Sequence, residues 1–297
     1  MAERWLVTGG TGQVGTALRR SPPPGVEIFA PGRDLLDLAN MPDDLSPLLD
    51  GVSAIINCGA YTAVDKAESE VALAEAINAL APGKLAAAAA KAGIAIVHVS
   101  TDYVFPADGT GPWAEDASTG PVSTYGRTKL AGEAAVRASG ARHAIVRTAW
   151  VVSADGANFV KTMLRVGAQN DTMRVVADQR GTPTHAGDLA LTLAAITQRL
   201  TGDPQRASGT WHCANAGETT WHGLATHVFA CAASQGCKVP REVQAITTAE
   251  YPTPARRPAD SRLDCARLTA DFGIAMRPWQ AAVEEIVATL AQEKQVA

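Results

Sequence analysis

Tyr125 and Lys129 stand four residues apart in STYGRTKLAGEAAVRASG (123–140), a stretch that reads as the first turns of a helix. Residues at i and i+4 share a helix face, so a phenol and an ammonium are presented side by side. That spacing alone is a weak signal, because an aromatic and a lysine so related decorate many helix surfaces. Two other places in the chain give the pair meaning. In VTGGTGQVG, Gly9, Gly12 and Gly15 are spaced G-x-x-G-x-x-G between a predicted strand and a helix. Glycines let the backbone turn tightly and approach a pyrophosphate, and the free N–H groups of a helix start attract its charge. HVSTDYVF then delivers Ser100, Thr101 and Asp102 at the carboxyl end of another predicted strand, where a doubly wound sheet meets its ligands. The Thr101 hydroxyl can donate to a carbonyl there, and the Tyr125 helix is the next element along the chain.

The elements that must position these groups follow from hydrophobic periodicity. Strands are predicted at 4–9, 26–30, 53–60, 94–100, 143–149 and 173–178, and helices at 13–20, about 69–92, 124–138, 157–168 and 186–200. The alternation implies βαβ units: an α/β fold, a Rossmann-type doubly wound parallel sheet. Gly93 would cap the Ala-rich helix before it. Beyond residue 200 the pattern loosens. TGDPQRASGTWHCANAG is rich in turn formers, TTWHGLATHVFACAASQG reads as a helix capped by Thr219 or Thr220, and EYPTPARRPADSRLD carries four prolines. The expected organisation is a dinucleotide-binding domain over 1–150, extended by parts of 170–230, and a smaller, discontinuous substrate-binding α/β region over 151–297.

The chain has 297 residues, 46% of them hydrophobic and 19% charged, which fits a folded globular protein. A net charge of −4 offers no broad attraction to nucleic acid. The N-terminal MAERWLVTGG places Glu3 and Arg4 before a short apolar run, so it reads as neither signal peptide nor membrane span, and a cytoplasmic protein without a membrane partner is expected. Five cysteines without a CxxC pair imply reduced thiols and no structural zinc. His222 and His227 are five apart and do not share a helix face, so these two and His212 read as structural or surface residues.

After the second strand comes APGRDLLDL. An arginine at this strand tip accommodates the 2′-phosphate of NADP, whereas a carboxylate bonds the ribose hydroxyl of NAD. Arg33 and Asp34 offer both, with a slight lean to NADPH and NADH kept open.

Together the glycine motif, the hydroxyl after the fourth strand and YxxxK resemble the extended short-chain dehydrogenases/reductases. More narrowly, GGTGQVG, NCGAYTAVDKAES, VSTDYVF, YGRTKLAGE, VRTAW, NFVKTMLR, DQRGTPT, TTWHGLA and YPTPARRPADSRLD resemble the dTDP-4-dehydrorhamnose reductases, in that family's order from residue 9 to residue 264. The resemblance implies hydride transfer from a nicotinamide to the C4 ketone of dTDP-4-dehydro-6-deoxy-L-mannose (dTDP-4-dehydro-β-L-rhamnose), giving dTDP-L-rhamnose. Tyr125 would protonate the developing alkoxide, Lys129 would lower its pKa and hold the nicotinamide ribose, and Thr101 would polarise the carbonyl.

The same resemblance puts Gly12, Gln13 and Val14 at the pyrophosphate, Asp37 and Leu38 at the adenine, Ala60, Tyr61 and Thr62 at the third-strand end, and Val99 beside the nicotinamide. Asp102 and Trp150 match substrate-contacting positions, Trp150 serving equally well as a core aromatic. Arg257 and Ser261 would meet the dTDP diphosphate, with Arg256 an equally placed alternative or a solvated charge. Some members bridge a dimer with Mg²⁺ through glutamates, one on the helix after the glycine loop. Thr16 and Ala17 stand there, so the expectation is no metal and a monomer or weak homodimer. Alternatives on the same scaffold are a reductase or epimerase for another dTDP-4-keto-6-deoxy sugar, a 4,6-dehydratase, and a non-catalytic NADP-binding regulatory subunit like the β subunit of methionine adenosyltransferase.

Overall fold

The computed structural model describes residues 3–203 and 205–296. Runs such as Ala54-Ile55-Ile56-Asn57 are buried at every position, the pattern of a parallel strand covered on both faces. Six such strands form one parallel sheet: β1 (Glu3–Thr8), β2 (Val26–Phe29), β3 (Ala54–Asn57), β4 (Ala95–Thr101), β5 (His143–Thr148) and β6 (Gly209–His212), in the order β6-β5-β4-β3-β1-β2. The order reverses between β1 and β3, and ligand crevices of open parallel sheets lie at that switch point.

Two strands differ from the sequence expectations. The run at 173–178 does not join this sheet: Thr172–Val176 pairs in parallel with Glu242–Ile246 in a separate two-stranded ribbon. The sixth strand instead comes from the stretch that reads as turn formers. Only Gly209–His212 is extended there, and Trp211 and His212 are buried while glycine and serine flank them, so the strand is too short for its periodicity to emerge.

The helices are α1 (Gln13–Arg20), α2 (Ala81–Ala92), α3 (Thr124–Ala138), α4 (Ala186–Gly202), α5 (Trp221–Ser234) and α6 (Trp279–Val296). The first four form where their apolar stripes meet the sheet, and the last two where theirs meet a second core. On α4, Leu189, Leu193, Ile196 and Leu200 recur at helical spacing and are fully buried in the core containing Trp5, Val7, Ile56 and Val97. Each such side chain contributes about 1.5–3 kcal/mol relative to exposure. The opposite face of the sheet is covered by α2 and α3 through Leu85, Ala86, Ala89 and Val136. α2 ends at Gly93, whose φ of 70° is left-handed, as a helix C-cap requires.

The helix expected over 69–92 is broken: Val71–Glu75 passes through one π-helical turn, Ala76–Leu80, into α2. Among the described residues, Val71–Ala92 is the one helical run long and apolar enough to cross a membrane. Its buried positions pack on the sheet and on α3, with 39% of the apolar stretch buried.

A second core lies under the helix Phe159–Gly167, α5 and α6, built from Val160, Met163, Leu224, Val228, Val283 and Ile286. The chain beyond residue 151 thus supplies this core and also returns α4, β6 and the helix Ala266–Phe272 to the main sheet.

Candidate active site

β1 leads into the glycine loop, and Gly9 adopts a left-handed φ of 68° with its α-carbon so close to Gly59 that an added Cβ would lie 2.8 Å from backbone. An added Cβ on Gly15 would fall 2.2 Å from the Gly9 carbonyl oxygen. No other residue type fits either place. Gly12 caps α1 without a side chain, and the first intrahelical bond runs from the Thr16 N–H to the Gly12 carbonyl at 2.9 Å. The N–H groups of Gln13, Val14 and Gly15 therefore remain for an anion. The Gln13 side chain is otherwise engaged, bonding the Val151 carbonyl, Ser153 and Asn158 across to the second lobe at 3.0–3.3 Å.

Past β2, Arg33 is exposed and forms no ion pair with any described residue, and Asp34 beside it is also exposed. Asp37 closes its own turn by accepting from the Ala39 N–H at 3.0 Å, and Leu38 lies against Gly59. At the end of β3, Ala60, Tyr61 and Thr62 follow, with the Tyr61 hydroxyl donating to Glu70. Together these residues offer bare backbone at the helix start, an unpaired guanidinium at the β2 tip and small residues between, a geometry that could hold a dinucleotide.

The residues expected to carry the reaction gather beside it. Thr101 ends β4 and is 4% exposed, with Asp102 at 3% and Lys129 at 2%. Ser123 caps α3 by accepting from the Gly126 N–H at 3.1 Å, which fixes the first turn carrying Tyr125. The Thr101 hydroxyl has one proton and two acceptors in reach: Asp102 Oδ1 at 2.9 Å and the Tyr125 oxygen. Burial pushes the Tyr125 phenol up to about 12, with the Asp102 charge acting the same way and the Thr101 hydrogen bond opposing it.

This overturns the expectation that Lys129 draws the phenol downward. The Lys129 ammonium donates instead to the Val99 carbonyl at 2.7 Å, and burial lowers its pKa to about 8 against the opposing charges of Glu133 and Cys58. Burial raises Asp102 to about 6, against hydrogen bonds from Ser261 and Thr101, and its Oδ2 has no other bonded partner. At neutral pH the site therefore holds a protonated phenol, a charged lysine and an ionised Asp102.

Three supporting residues are not singled out by the sequence. His98, fully buried on β4, sits 3.5 Å from Lys129 Nζ through Nε2 and 2.9 Å from Asn57 through Nδ1. Thr8 accepts from the Gly59 N–H and donates to Asn57, whose side-chain amide meets Nδ1. Burial and the Lys129 charge keep this ring neutral. Asn78 lies in the π-helical turn, accepts from the Tyr61 N–H at 2.9 Å, and donates to the Tyr61 carbonyl and Thr128 of α3 at 3.1 and 3.2 Å. Glu133, one turn beyond Lys129, is fully buried in a bidentate pair with Arg147, both contacts at 2.8 Å. A π-turn is itself a frequent mark of functional sites, although no sequence pattern announces it.

Ser261 is buried at the Asp102 carboxylate. Arg257 pairs with Asp65 at 2.7 Å, leaving its buried Nη1 without a partner, while Arg256 is exposed. Trp150 has a positive φ of 48°, the left-handed region a tryptophan rarely adopts, and stacks on Trp221 at a centroid distance of 3.6 Å. It is packed between the two lobes immediately after β5. A cavity of about 300 Å³ opens between α1, α4 and α6, lined by Gln13, Arg20, Asp155, His185, Asp188 and Arg277. None of Thr101, Tyr125 or Lys129 reaches it, so it is not the place for carbonyl chemistry.

Comparison with known proteins agrees with this geometry over nearly the whole chain. The family model described as RmlD substrate binding domain matches residues 3–292. A dTDP-4-dehydrorhamnose reductase of Sinorhizobium fredii is 43% identical over 293 residues, 98% of each chain. The reductase of the same name from Escherichia coli K12 is 38% identical, covering 95% of this chain and 96% of its own. Among solved structures, the Bacillus anthracis dTDP-4-dehydrorhamnose reductase in complex with NADP is similar with a TM-score of 0.86 and 33% identity, over 97% of this chain and all of that one. A dTDP-4-dehydrorhamnose reductase from Clostridium acetobutylicum gives a TM-score of 0.87 at 37% identity, over 97% of this chain and 99% of that one. With the glycine cradle, Thr101, Tyr125 and Lys129 all in place, the chain belongs to the dTDP-4-dehydrorhamnose reductase family.

Proposed function

We propose that this chain reduces the C4 ketone of dTDP-4-dehydro-β-L-rhamnose to dTDP-L-rhamnose, the closing step of dTDP-rhamnose synthesis, with NADPH, or NADH, as reductant. The observation that carries this reading is the meeting of Thr101, Asp102, Tyr125 and Lys129 at the end of β4 beside the glycine cradle. The nicotinamide, when bound, supplies the hydride. The chain supplies everything else. Gly12 to Gly15 hold the pyrophosphate through backbone N–H groups, and Arg33 meets a 2′-phosphate.

Tyr125, protonated throughout the physiological range, gives its proton to the oxygen on which charge develops. Thr101 donates to the same oxygen when it turns its hydroxyl away from Asp102. The Lys129 ammonium, anchored on the Val99 carbonyl, bonds the nicotinamide ribose. Arg257, with one guanidinium nitrogen unpartnered, and Ser261 receive the diphosphate end, while Asp102 and Trp150 border the sugar. The reaction so written needs no metal, and Thr16 and Ala17 offer no carboxylate on α1. We also assign the protein to the cytoplasm, as a monomer or weak homodimer, with neither nucleic acid nor membrane as a partner.

The test is to incubate purified protein with dTDP-4-dehydro-β-L-rhamnose generated in situ and NADPH or NADH, following loss of reduced cofactor and identifying the product by NMR. Stoichiometric cofactor oxidation with dTDP-L-rhamnose formed is the expected result. Cofactor binding without turnover would replace the reductase reading by the regulatory one.

A further inference from the structure

On α5, His227 and Cys231 are four residues apart and share a face, a relation hidden when His227 is compared only with His222. α6 packs against that face and brings Glu284 to the same point. His227 Nε2 lies 3.6 Å from Cys231 Sγ and 3.7 Å from Glu284 Oε1, and the three donor atoms fall within 4.8 Å of one another. Zinc bonds of ~2.3 Å to sulfur and ~2.0–2.2 Å to nitrogen and oxygen, at tetrahedral angles, require donor-to-donor distances of about 3.4–3.6 Å. The two closest pairs already stand within a few tenths of an ångström of that requirement.

The surroundings suit an ion. The His227 ring is set edge-on to buried Trp279, with centroids 5.0 Å apart and an interplanar angle of 77°, which orients the ring. Nε2 has only a 3.4 Å contact to the Gln280 carbonyl to give up, a long and weak hydrogen bond. Cys231 and His227 are partly buried, while Glu284 is exposed and its long side chain can close the remaining gap. No other described group of three histidine, cysteine or acidic side chains comes this close.

We propose that His227, Cys231 and Glu284 form a binding site for a zinc ion that fastens α6 to α5, outside the reaction centre. A thiolate, an imidazole and a carboxylate select a borderline-soft divalent ion over magnesium or calcium, which take oxygen alone. The three side chains leave one tetrahedral position, which water fills from the solvent side. On binding, the Cys231 thiol releases its proton to solvent and the His227 proton moves to Nδ1. The ion would tie the last helix to the second core, and its effect is on stability rather than on hydride transfer.

The experiment titrates zinc alone into the metal-free full chain against a chromophoric chelator, with cobalt substituted in parallel. One zinc per chain is expected, with a cobalt–thiolate charge-transfer band. Cys231→Ser should abolish that band and weaken zinc binding by more than the ~10–100-fold typical of losing an outer-shell partner. Zinc should raise the Tm of the wild type and leave that of Cys231→Ser unchanged, with reductase activity the same in both. Should Cys231→Ser fold poorly, Glu284→Gln, at an exposed position, should likewise weaken zinc binding and remove the zinc-dependent rise in Tm while keeping the thiolate band. No bound zinc at micromolar concentrations, or equal binding by wild type and Cys231→Ser, would overturn the proposal.

Discussion

Raising the pH from about 7 to about 9 should cost this enzyme about tenfold in kcat/KM, through one group. Lys129 is held by burial at about 8, so its ammonium is about nine-tenths present at the lower pH and about one-tenth at the higher. The neighbours cannot imitate this limb: Tyr125 loses its proton only near 12, and Asp102 titrates near 6. The sign follows from the depressed pKa, since charge is present below it and lost above. Glu133→Gln removes the carboxylate that opposes the depression, so the limb should move to lower pH.

That variant also leaves Arg147, 3% exposed, without its partner, at a cost of about 3–5 kcal/mol, so its Tm must be measured alongside. The assay is initial rates at saturating NADPH in overlapping buffers, with return to pH 7 to exclude denaturation. A flat profile from 7 to 9 in the wild type, or a limb displaced upward in Glu133→Gln, would refute the assignment.

Arg33→Ala should weaken NADPH binding by about tenfold or more while sparing NADH, since a charge-assisted bond to phosphate contributes about 1.5–3 kcal/mol; equal losses in a binding titration would contradict the 2′-phosphate role. Asn78→Ala strips the Tyr61 N–H and carbonyl of their partners, and thermal melts should show a loss of about 2–4 kcal/mol together with reduced kcat. Arg257→Ala should raise KM for the sugar nucleotide by an order of magnitude or more and leave NADPH affinity unchanged. A variant with unaltered KM would place the diphosphate elsewhere.

What the sequence made legible was whatever depends on local pattern. Gly9, Gly12 and Gly15 between a strand and a helix, the helix over 124–138 that carries Tyr125, and the Gly93 stop of α2 are all short-range signals, and each lies where expected. Tertiary pairing was less visible. Thr172–Val176 has the composition of a sheet strand but pairs with a segment about seventy residues later, and Gly209–His212 pairs beside β5 with only four residues to signal it. Within the site the same division holds. Tyr125, Lys129 and Thr101 announce themselves by spacing, whereas His98, Asn78 and Glu133 act through contacts 31, 50 and 14 residues distant in sequence. The Tyr125 pKa was misjudged for the same reason: helical adjacency suggested an ammonium beside the phenol, but burial dominates and the ammonium bonds Val99.

Tyr125→Phe removes one oxygen and nothing from the cradle, so it isolates the proton transfer on which the proposed reduction depends. Kinetics with dTDP-4-dehydro-β-L-rhamnose should show kcat reduced by about 10²–10⁴-fold, or ~3–5 kcal/mol of transition-state stabilisation, with the Kd for NADPH within about twofold of wild type. Wild-type kcat in Tyr125→Phe would contradict Tyr125 as the general acid.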